Sequence, residues 1–147
     1  MSFFDGEDGQ IQAETMEITV ALICQISCQT ETYIRIKKQV DHILHRHEIL
    51  FTGIHRKLHS LSSSSIELDL IHRQDMLDDL LCFDLRTIFD HLVENNQITW
   101  GKILTILAFS TFIAKKHVDI SDRIAFVTGQ YIVKKLTPWI KEHGGWV

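Results

Sequence analysis

Apolar residues recur at helical spacing along most of the chain, and one stretch is apolar on nearly every side. Over residues 13–29, 32–58 and 75–93 an apolar side chain returns at every third or fourth position, which predicts three amphipathic helices. Residues 100–114 differ, because from Ile103 onward almost no polar face is left. A helix without a polar face has to be surrounded by other helices or by lipid. This run is shorter than the roughly 18 residues that span a bilayer, so it predicts a buried central helix.

Weaker signals indicate the elements between these helices. Residues 1–12 are polar and predict a loose start, and the serine-rich run 61–65 predicts a flexible linker. We expect a short helix over residues 66–73. Gly53 stands inside the apolar pattern of the second helix, where a glycine costs about 1 kcal/mol relative to alanine. A kink or a close packing contact would explain it.

The last part of the chain carries cap and turn residues. Asp119 or Ser121 is suited to cap the helix that follows the central one. Pro138 suits the first turn of one last short helix, and Gly144–Gly145 would end that helix. Together these patterns predict an all-α bundle of seven or eight helices in one domain over residues 1–147.

The composition agrees with a helical, soluble, intracellular chain. The chain contains one proline and seven glycines, which are too few turn-forming residues for an all-β fold. The net charge of −4 argues against a general nucleic-acid binder. Three cysteines and the absence of a targeting segment indicate a reducing compartment with free thiols. Cys24 and Cys28, four residues apart, are interpreted as buried packing residues on one helical face, and the chain shows no hydrophobic tail that would anchor it stably in a membrane.

No arrangement typical of catalysis or of metal binding stands out. His55 and His59 are four residues apart and could hold zinc from one helical face, but no further ligand follows at a recognisable spacing. Phosphate-binding loops, dinucleotide-binding glycine motifs and nucleophile elbows are absent. The carboxylates between Asp75 and Asp84 are interpreted as the solvated side of an amphipathic helix. We therefore expect no enzyme, no cofactor and no metal, with an unrelated helical metalloprotein as the alternative.

Two short motifs carry a resemblance to a known family. Residues 98–103 read ITWGKI, which is similar to the first homology motif of the Bcl-2 family of apoptosis regulators, usually VNWGRI. Residues 138–146 read PWIKEHGGW, which is similar to the second motif, PWIQENGGW. Both occur in order, with an apolar and an amphipathic helix between them. The short connection between the first two helices and the missing tail resemble the compact pro-survival homologues carried by viruses.

This resemblance implies both a fold and a function. The fold would be a Bcl-2-like helical bundle around a hydrophobic central helix, with a surface groove for a ligand helix. Pro-survival members bind in that groove the amphipathic Bcl-2 homology-3 (BH3) helix of pro-apoptotic proteins of the Bim, Bak or Bax type. Such recognition places apolar anchors at i, i+3 or i+4, and i+7 into pockets. The protein would then inhibit apoptosis in the host cell cytoplasm and be recruited to mitochondria by its partners.

The resemblance also assigns roles to individual residues. Gly101 matches the glycine that lets the ligand helix approach closely. Lys102 stands where the family has an arginine that pairs with the ligand's aspartate; lysine keeps the charge but loses the planar fork. Thr99 replaces an asparagine and offers a hydroxyl, and Phe109 aligns with an aromatic residue that lines the groove. Further apolar residues are expected to line the groove or, equally, the core: Leu50, Ile54, Leu81, Leu85 and Phe89. Trp100, Trp139 and Trp146 are interpreted as packing residues.

Two other functions and one other assembly state remain open at this point. A pore-forming, pro-apoptotic member of the family is one, although Ile54 stands after Gly53 where a killing motif requires aspartate. A viral protein of this fold that modulates innate signalling without using the groove is another. An open groove is also an exposed apolar patch, so a homodimer is a further alternative.

Overall fold

The computed structural model describes residues 6–63, 70–94 and 97–146, with side chains at all of these except 7, 59–63, 70–80 and 94. Within these ranges six α-helices and one 3₁₀ turn follow one another, and no strand occurs. They are α1 (Gly6–Ile23), α2 (Glu31–Arg46), α3 (Glu48–Ser63), α4 (Leu70–Glu94), α5 (Trp100–Lys116), the 3₁₀ turn (Val118–Ile120) and α6 (Ser121–Glu142). The predicted all-α fold class is confirmed, with fewer described helices than the seven or eight expected.

Helix α5 is the buried centre of the bundle. Every residue from Ile106 to Ala114 is buried, and the other five helices all contact α5. Its first turn is capped by Thr99, whose Oγ1 accepts a hydrogen bond from the Lys102 N–H at 3.2 Å. This bond satisfies one of the amide groups that a helix start leaves free. The prediction of a central helix over residues 100–114 is confirmed.

Two hydroxyl groups join α5 to α6 inside the core. The Thr128 hydroxyl donates a hydrogen bond to Ser110 Oγ at 3.0 Å. The Ser110 hydroxyl in turn donates to the carbonyl of Ile106 at 2.8 Å. Both side chains are fully buried, and because each hydroxyl has a partner, neither carries the cost of an unsatisfied polar group.

The three tryptophans, interpreted from the sequence as packing residues, pack against one another beside the start of α5. The ring of Trp100 lies 5.1 Å from that of Trp139 and 5.3 Å from that of Trp146, measured between centroids. The indole Nε1–H of Trp146 donates to Thr15 Oγ1 at 2.8 Å. The residues after α6 are thereby attached to α1.

The first helix lies earlier in the chain than the predicted range of residues 13–29. It begins at Gly6 and ends at Ile23, and Gln25 follows in a left-handed backbone conformation with φ of +58°. A non-glycine residue in that conformation cannot continue a right-handed helix. Cys24 and Cys28 therefore do not share a helical face, and both are only half-buried.

The predicted helix over residues 32–58 is divided in two at His47, where φ is −113° and ψ is 20°. A straight helix of that length would measure about 40 Å. The change of direction at His47 lets the following helix bring Phe51 into the core, where it is buried. Gly53 is not the site of the break, and a Cβ at Gly53 would have no atom within 4 Å, so the expected kink or close contact is absent there.

Two further predicted boundaries differ from the structure. Residues 61–63 of the predicted linker belong to α3, while residues 64–69 lie outside the described residues. Residues 70–73, assigned to a separate short helix, are the first turn of α4. Helix α3 thus includes the first residues of the serine-rich run and ends at Ser63.

The caps of α6 were predicted wrongly at its start and correctly at its end. Ile120 occupies the N-cap position without a side-chain hydrogen bond, so neither Asp119 nor Ser121 caps the helix. Pro138 lies inside α6 and does not begin a new helix; since Pro138 and Lys134 are both exposed, water can satisfy the carbonyl that the proline leaves free. Gly144 and Gly145 end the helix with φ of +89° and +82°, as predicted.

Candidate ligand-binding face of the central helix

One side of α5 changes from open to covered along its length. Gly101, Thr105 and Phe109 follow at intervals of four, and Phe112 lies on the same side three residues later, because such spacings place side chains on one helical face. Gly101 is exposed and Thr105 is half-buried, whereas Phe109 and Phe112 are buried. These four residues are called the α5 face below.

The open end of the α5 face lies at Gly101. A Cβ built at Gly101 would have only Thr99 Oγ1 within 4 Å, at 3.6 Å. The space above this glycine is therefore free for a ligand backbone. The Thr99 hydroxyl, already engaged as the helix cap, fixes the orientation of this first turn.

Lys102 places a positive charge directly beside the open end. Its side chain is half-exposed. The ion pairs found among the described residues are those of Lys37 with Asp41 and Lys141 with Asp8, and neither involves Lys102. Its ammonium group is thus available to a carboxylate supplied by a ligand.

The covered end of the α5 face is closed by aromatic residues and by a histidine pair. The ring of Phe51 on α3 lies 5.3 Å from that of Phe109 and 5.8 Å from that of Phe112. Beyond it, His55 Nε2 lies 3.0 Å from His117 Nε2. This pair could not be predicted from the sequence, because its members are 62 residues apart and only His59 stands at helical spacing from His55.

The remaining predicted groove residues are divided between surface and core. Leu50 is 56% exposed, and Ile54 is half-buried against the core. Leu81, Leu85 and Phe89 of α4 are buried, and the Phe89 ring faces Tyr131 of α6 at 5.2 Å. The structure therefore exposes Leu50, leaves Ile54 at the edge of the core and places the three α4 residues inside it. Ile49, which is not among the predicted groove residues, is the most exposed large apolar side chain in the described ranges, at 91%.

Neither a metal centre nor a membrane span emerges from the described part of the chain. No three histidine, cysteine, aspartate or glutamate side chains there come together as metal ligands do. None of the helices in those ranges combines the length and the apolar character needed to cross a bilayer.

The geometry defines a class of protein: a helical bundle around a buried helix, one end of which is open beside a lysine side chain. The sequence profile of the family described as "Apoptosis regulator proteins, Bcl-2 family" matches residues 36–146. The chain belongs to the Bcl-2 family.

Individual relatives share part of the chain. Bovine (Bos taurus) Bcl-2-related protein A1 is 30% identical over 106 residues, which cover 62% of this chain and 61% of that protein. The zebrafish (Danio rerio) Bcl-2-related ovarian killer protein homolog B is 34% identical over 55 residues, 34% of this chain and 26% of that protein. The matched region thus spans less than two-thirds of either relative.

Solved structures show the same fold over almost the whole chain. The apo form of the zebrafish pro-survival protein NRZ aligns with a TM-score of 0.72 and 18% identity, covering 95% of this chain and 90% of that one. The complex of NRZ with Bad BH3 gives a TM-score of 0.70 and 17% identity, covering 96% and 93%. At this level of identity the likeness shows the fold alone.

Proposed function

We propose that this protein inhibits apoptosis by binding the BH3 helix of pro-apoptotic proteins against the α5 face. The observation that carries the proposal is the open, exposed backbone of Gly101 with the Lys102 ammonium group beside it, which forms no ion pair with any carboxylate that the structure describes. A helix can approach closely only where no Cβ projects. A carboxylate on that helix would then meet Lys102 in a charge-assisted hydrogen bond.

The apolar part of the proposed interaction lies along α3. Leu50 and Ile49 expose apolar surface at the start of that helix, and apolar anchors spaced at i, i+3 or i+4, and i+7 on a ligand would bury it. The solved complex of the zebrafish relative NRZ with Bad BH3 supports this class of ligand. Proteins of the Bim, Bak and Bax type are the proposed partners.

The first test is a titration of a fluorescently labelled Bim BH3 peptide, followed by anisotropy. We expect submicromolar affinity for the unmodified chain. Gly101→Glu should abolish binding, because its side chain would occupy the space of the ligand backbone. The matched control is Gly6→Glu, which makes the same change at another exposed glycine with no atom within 4 Å of its Cβ position and should bind normally.

The charge beside the glycine is tested separately. Lys102→Asp should weaken the peptide by at least about tenfold, since a hydrogen bond to a charged group is worth about 1.5–3 kcal/mol. Lys38→Asp, on exposed α2 surface, changes the net charge equally and should leave the affinity unchanged. Failure of a broad panel of BH3 peptides to bind would refute the proposal. Light scattering measured with and without peptide would reveal a homodimer that competes with the ligand for the same face.

A pro-apoptotic, pore-forming activity is the second candidate. It is favoured by the match to a relative named as a killer protein. Dye-loaded liposomes separate the two functions, because a protein that only sequesters BH3 helices should release no dye. Leakage caused by the isolated chain would support the second candidate.

The proposed site of action is the cytoplasm of a host cell, with recruitment to mitochondria by the bound partners. Cell fractionation with and without an expressed partner would test it. A viral origin, predicted from the compactness of the chain, stays a prediction; the relatives described above are from cattle and zebrafish.

A further inference from the structure

A second concave surface lies between α4 and α6, outside the α5 face. It encloses a cavity of about 460 Å³, within the range of about 300–1,000 Å³ typical of ligand pockets. Its α6 side is formed by Phe126, Val127 and Tyr131, followed by Lys134 and Lys135. Helix α4 contributes Arg86 and Asp90. This surface is called the α4–α6 cavity.

The rim of the α4–α6 cavity is positively charged, although the chain as a whole carries a net charge of −4. Arg86, Lys134 and Lys135 are exposed, and neither ion pair among the described residues uses any of them. The one carboxylate in the lining, that of Asp90, accepts a hydrogen bond from the Tyr131 hydroxyl at 2.7 Å. Three cations less one carboxylate leave the lining with a net charge of +2.

The other end of the cavity is apolar and its floor is fixed. Phe126 is 60% exposed, whereas Val127 and Tyr131 are buried beneath it. The Tyr131 ring is held on one side by Phe89, at 5.2 Å between centroids, and by its bond to Asp90. An isolated exposed phenylalanine needs no explanation, but here it borders a preformed concavity next to three exposed cationic side chains.

We propose that the α4–α6 cavity binds a short acidic segment of a partner protein that carries an aromatic residue beside two carboxylates. Phe126 and Lys134 are eight residues apart on α6, which corresponds to about 12 Å. About four extended residues cover that distance. The aromatic residue packs against Phe126 and Val127, and the carboxylates pair with the lysines and Arg86. A bilayer surface is flat at this scale and does not enter such a concavity, and a bare phosphate makes no use of Phe126.

The experiment is an NMR titration of the isotopically labelled full chain with the peptide acetyl-Phe-Gly-Glu-Glu-amide. We expect saturable shifts of the backbone amides around Val127 and Tyr131, with a submillimolar dissociation constant. Lys134→Glu should weaken the peptide by about tenfold or more, the loss expected when one charge-assisted hydrogen bond becomes a repulsion. Lys38→Glu, with the same change of net charge on exposed α2, should bind within twofold of the unmodified chain.

Control peptides and vesicles decide between this ligand and others. Replacing the glutamates by lysine, or the phenylalanine by glycine, should each remove binding. The proposal would be overturned if the peptide with glycine in place of phenylalanine bound with full affinity. It would also be overturned if the peptide shifted amides elsewhere on the molecule, or if millimolar peptide caused no shift at all. The proposal would also be overturned if the chain bound phosphatidylserine vesicles more strongly than the peptide and Lys134→Glu abolished that binding. The ligand of the cavity would then be a membrane. Lys134→Glu should still bind the Bim BH3 peptide, so the two proposed sites can fail independently.

Discussion

At the scale of single residues, the buried hydroxyls differ in whether they have a partner. Thr128 donates to Ser110 in the core, and Thr15 donates to the carbonyl four residues earlier. Thr19 is also fully buried, yet its Oγ1 has no hydrogen-bond partner among the described residues. An unsatisfied buried hydroxyl costs about 1–3 kcal/mol, so Thr19 is a local weakness in α1.

The paired substitutions Thr19→Val and Thr128→Val should therefore have opposite effects. Valine keeps the shape of threonine and removes the hydroxyl. We expect Thr19→Val to raise the free energy of unfolding by about 1 kcal/mol and Thr128→Val to lower it by about 1 kcal/mol. Denaturant unfolding followed by circular dichroism measures both. Equal destabilisation by the two variants would show that Thr19 has a partner in solution.

The thiol of Cys24 provides a prediction about reactivity. Burial raises its pKa, and the hydrogen bond that it donates to Asp122 Oδ1 at 3.4 Å raises the pKa further, as does the negative charge of that carboxylate. The thiolate is the reactive form, so a raised pKa slows alkylation at pH values below it. Asp122→Asn should lower the pKa and accelerate alkylation of Cys24 by iodoacetamide.

Cys28 serves as the internal control in that experiment. It lies in the same segment and is also half-buried, and its Sγ contacts Glu17 and Thr30 rather than Asp122. Peptide mass spectrometry after timed alkylation gives both rates in one sample. An equal acceleration of Cys24 and Cys28 would indicate a general loosening of the segment instead of a change in the pKa of Cys24.

At the scale of the helices, Gly129 sets how closely α6 approaches α1. A Cβ at Gly129 would overlap Met16 Sδ and lie 2.8 Å from Met16 Cε. In the presence of Met16, we expect Gly129→Ala to destabilise the protein by about 1 kcal/mol, because overpacking outweighs the better helix propensity of alanine. In a Met16→Ala background the same change should become stabilising by about 1 kcal/mol, since only the propensity gain remains.

A double-mutant cycle measured by thermal unfolding tests this reversal of sign. The same effect of Gly129→Ala in both backgrounds would mean that Met16 adopts another rotamer at no cost. The contact between the two helices would then not depend on the glycine.

The helices themselves show what a sequence can predict and where its signal ends. The α5 helix was predicted almost to the residue, because its nearly uniform apolar composition requires that it be covered and its length is too short to span a bilayer. The break at His47 and the continuation of α6 through Pro138 were not predictable, since each depends on neighbouring helices. A local pattern records which residues are apolar, but it does not record where another helix forces a turn.

At the scale of the molecule, the predicted groove residues differed in how far the sequence could locate them. Thr99, Gly101 and Lys102 were located by a contiguous motif, and the structure places them together at the start of α5. Leu81, Leu85 and Phe89 could not be assigned to surface or core, because their exposure depends on the rotation of α4 against α5 and α6. The histidine pair and the charged α4–α6 cavity arise only when distant segments meet, so no spacing in the sequence predicts them.

The clustering of the indole rings has an optical consequence. The chain contains three tryptophans, and all of them lie together, with Trp100 directly before Gly101. Tryptophan emission of the unlabelled molecule therefore originates from a single place, next to where a bound helix would lie. A change of its intensity or wavelength would report on occupancy without any attached dye.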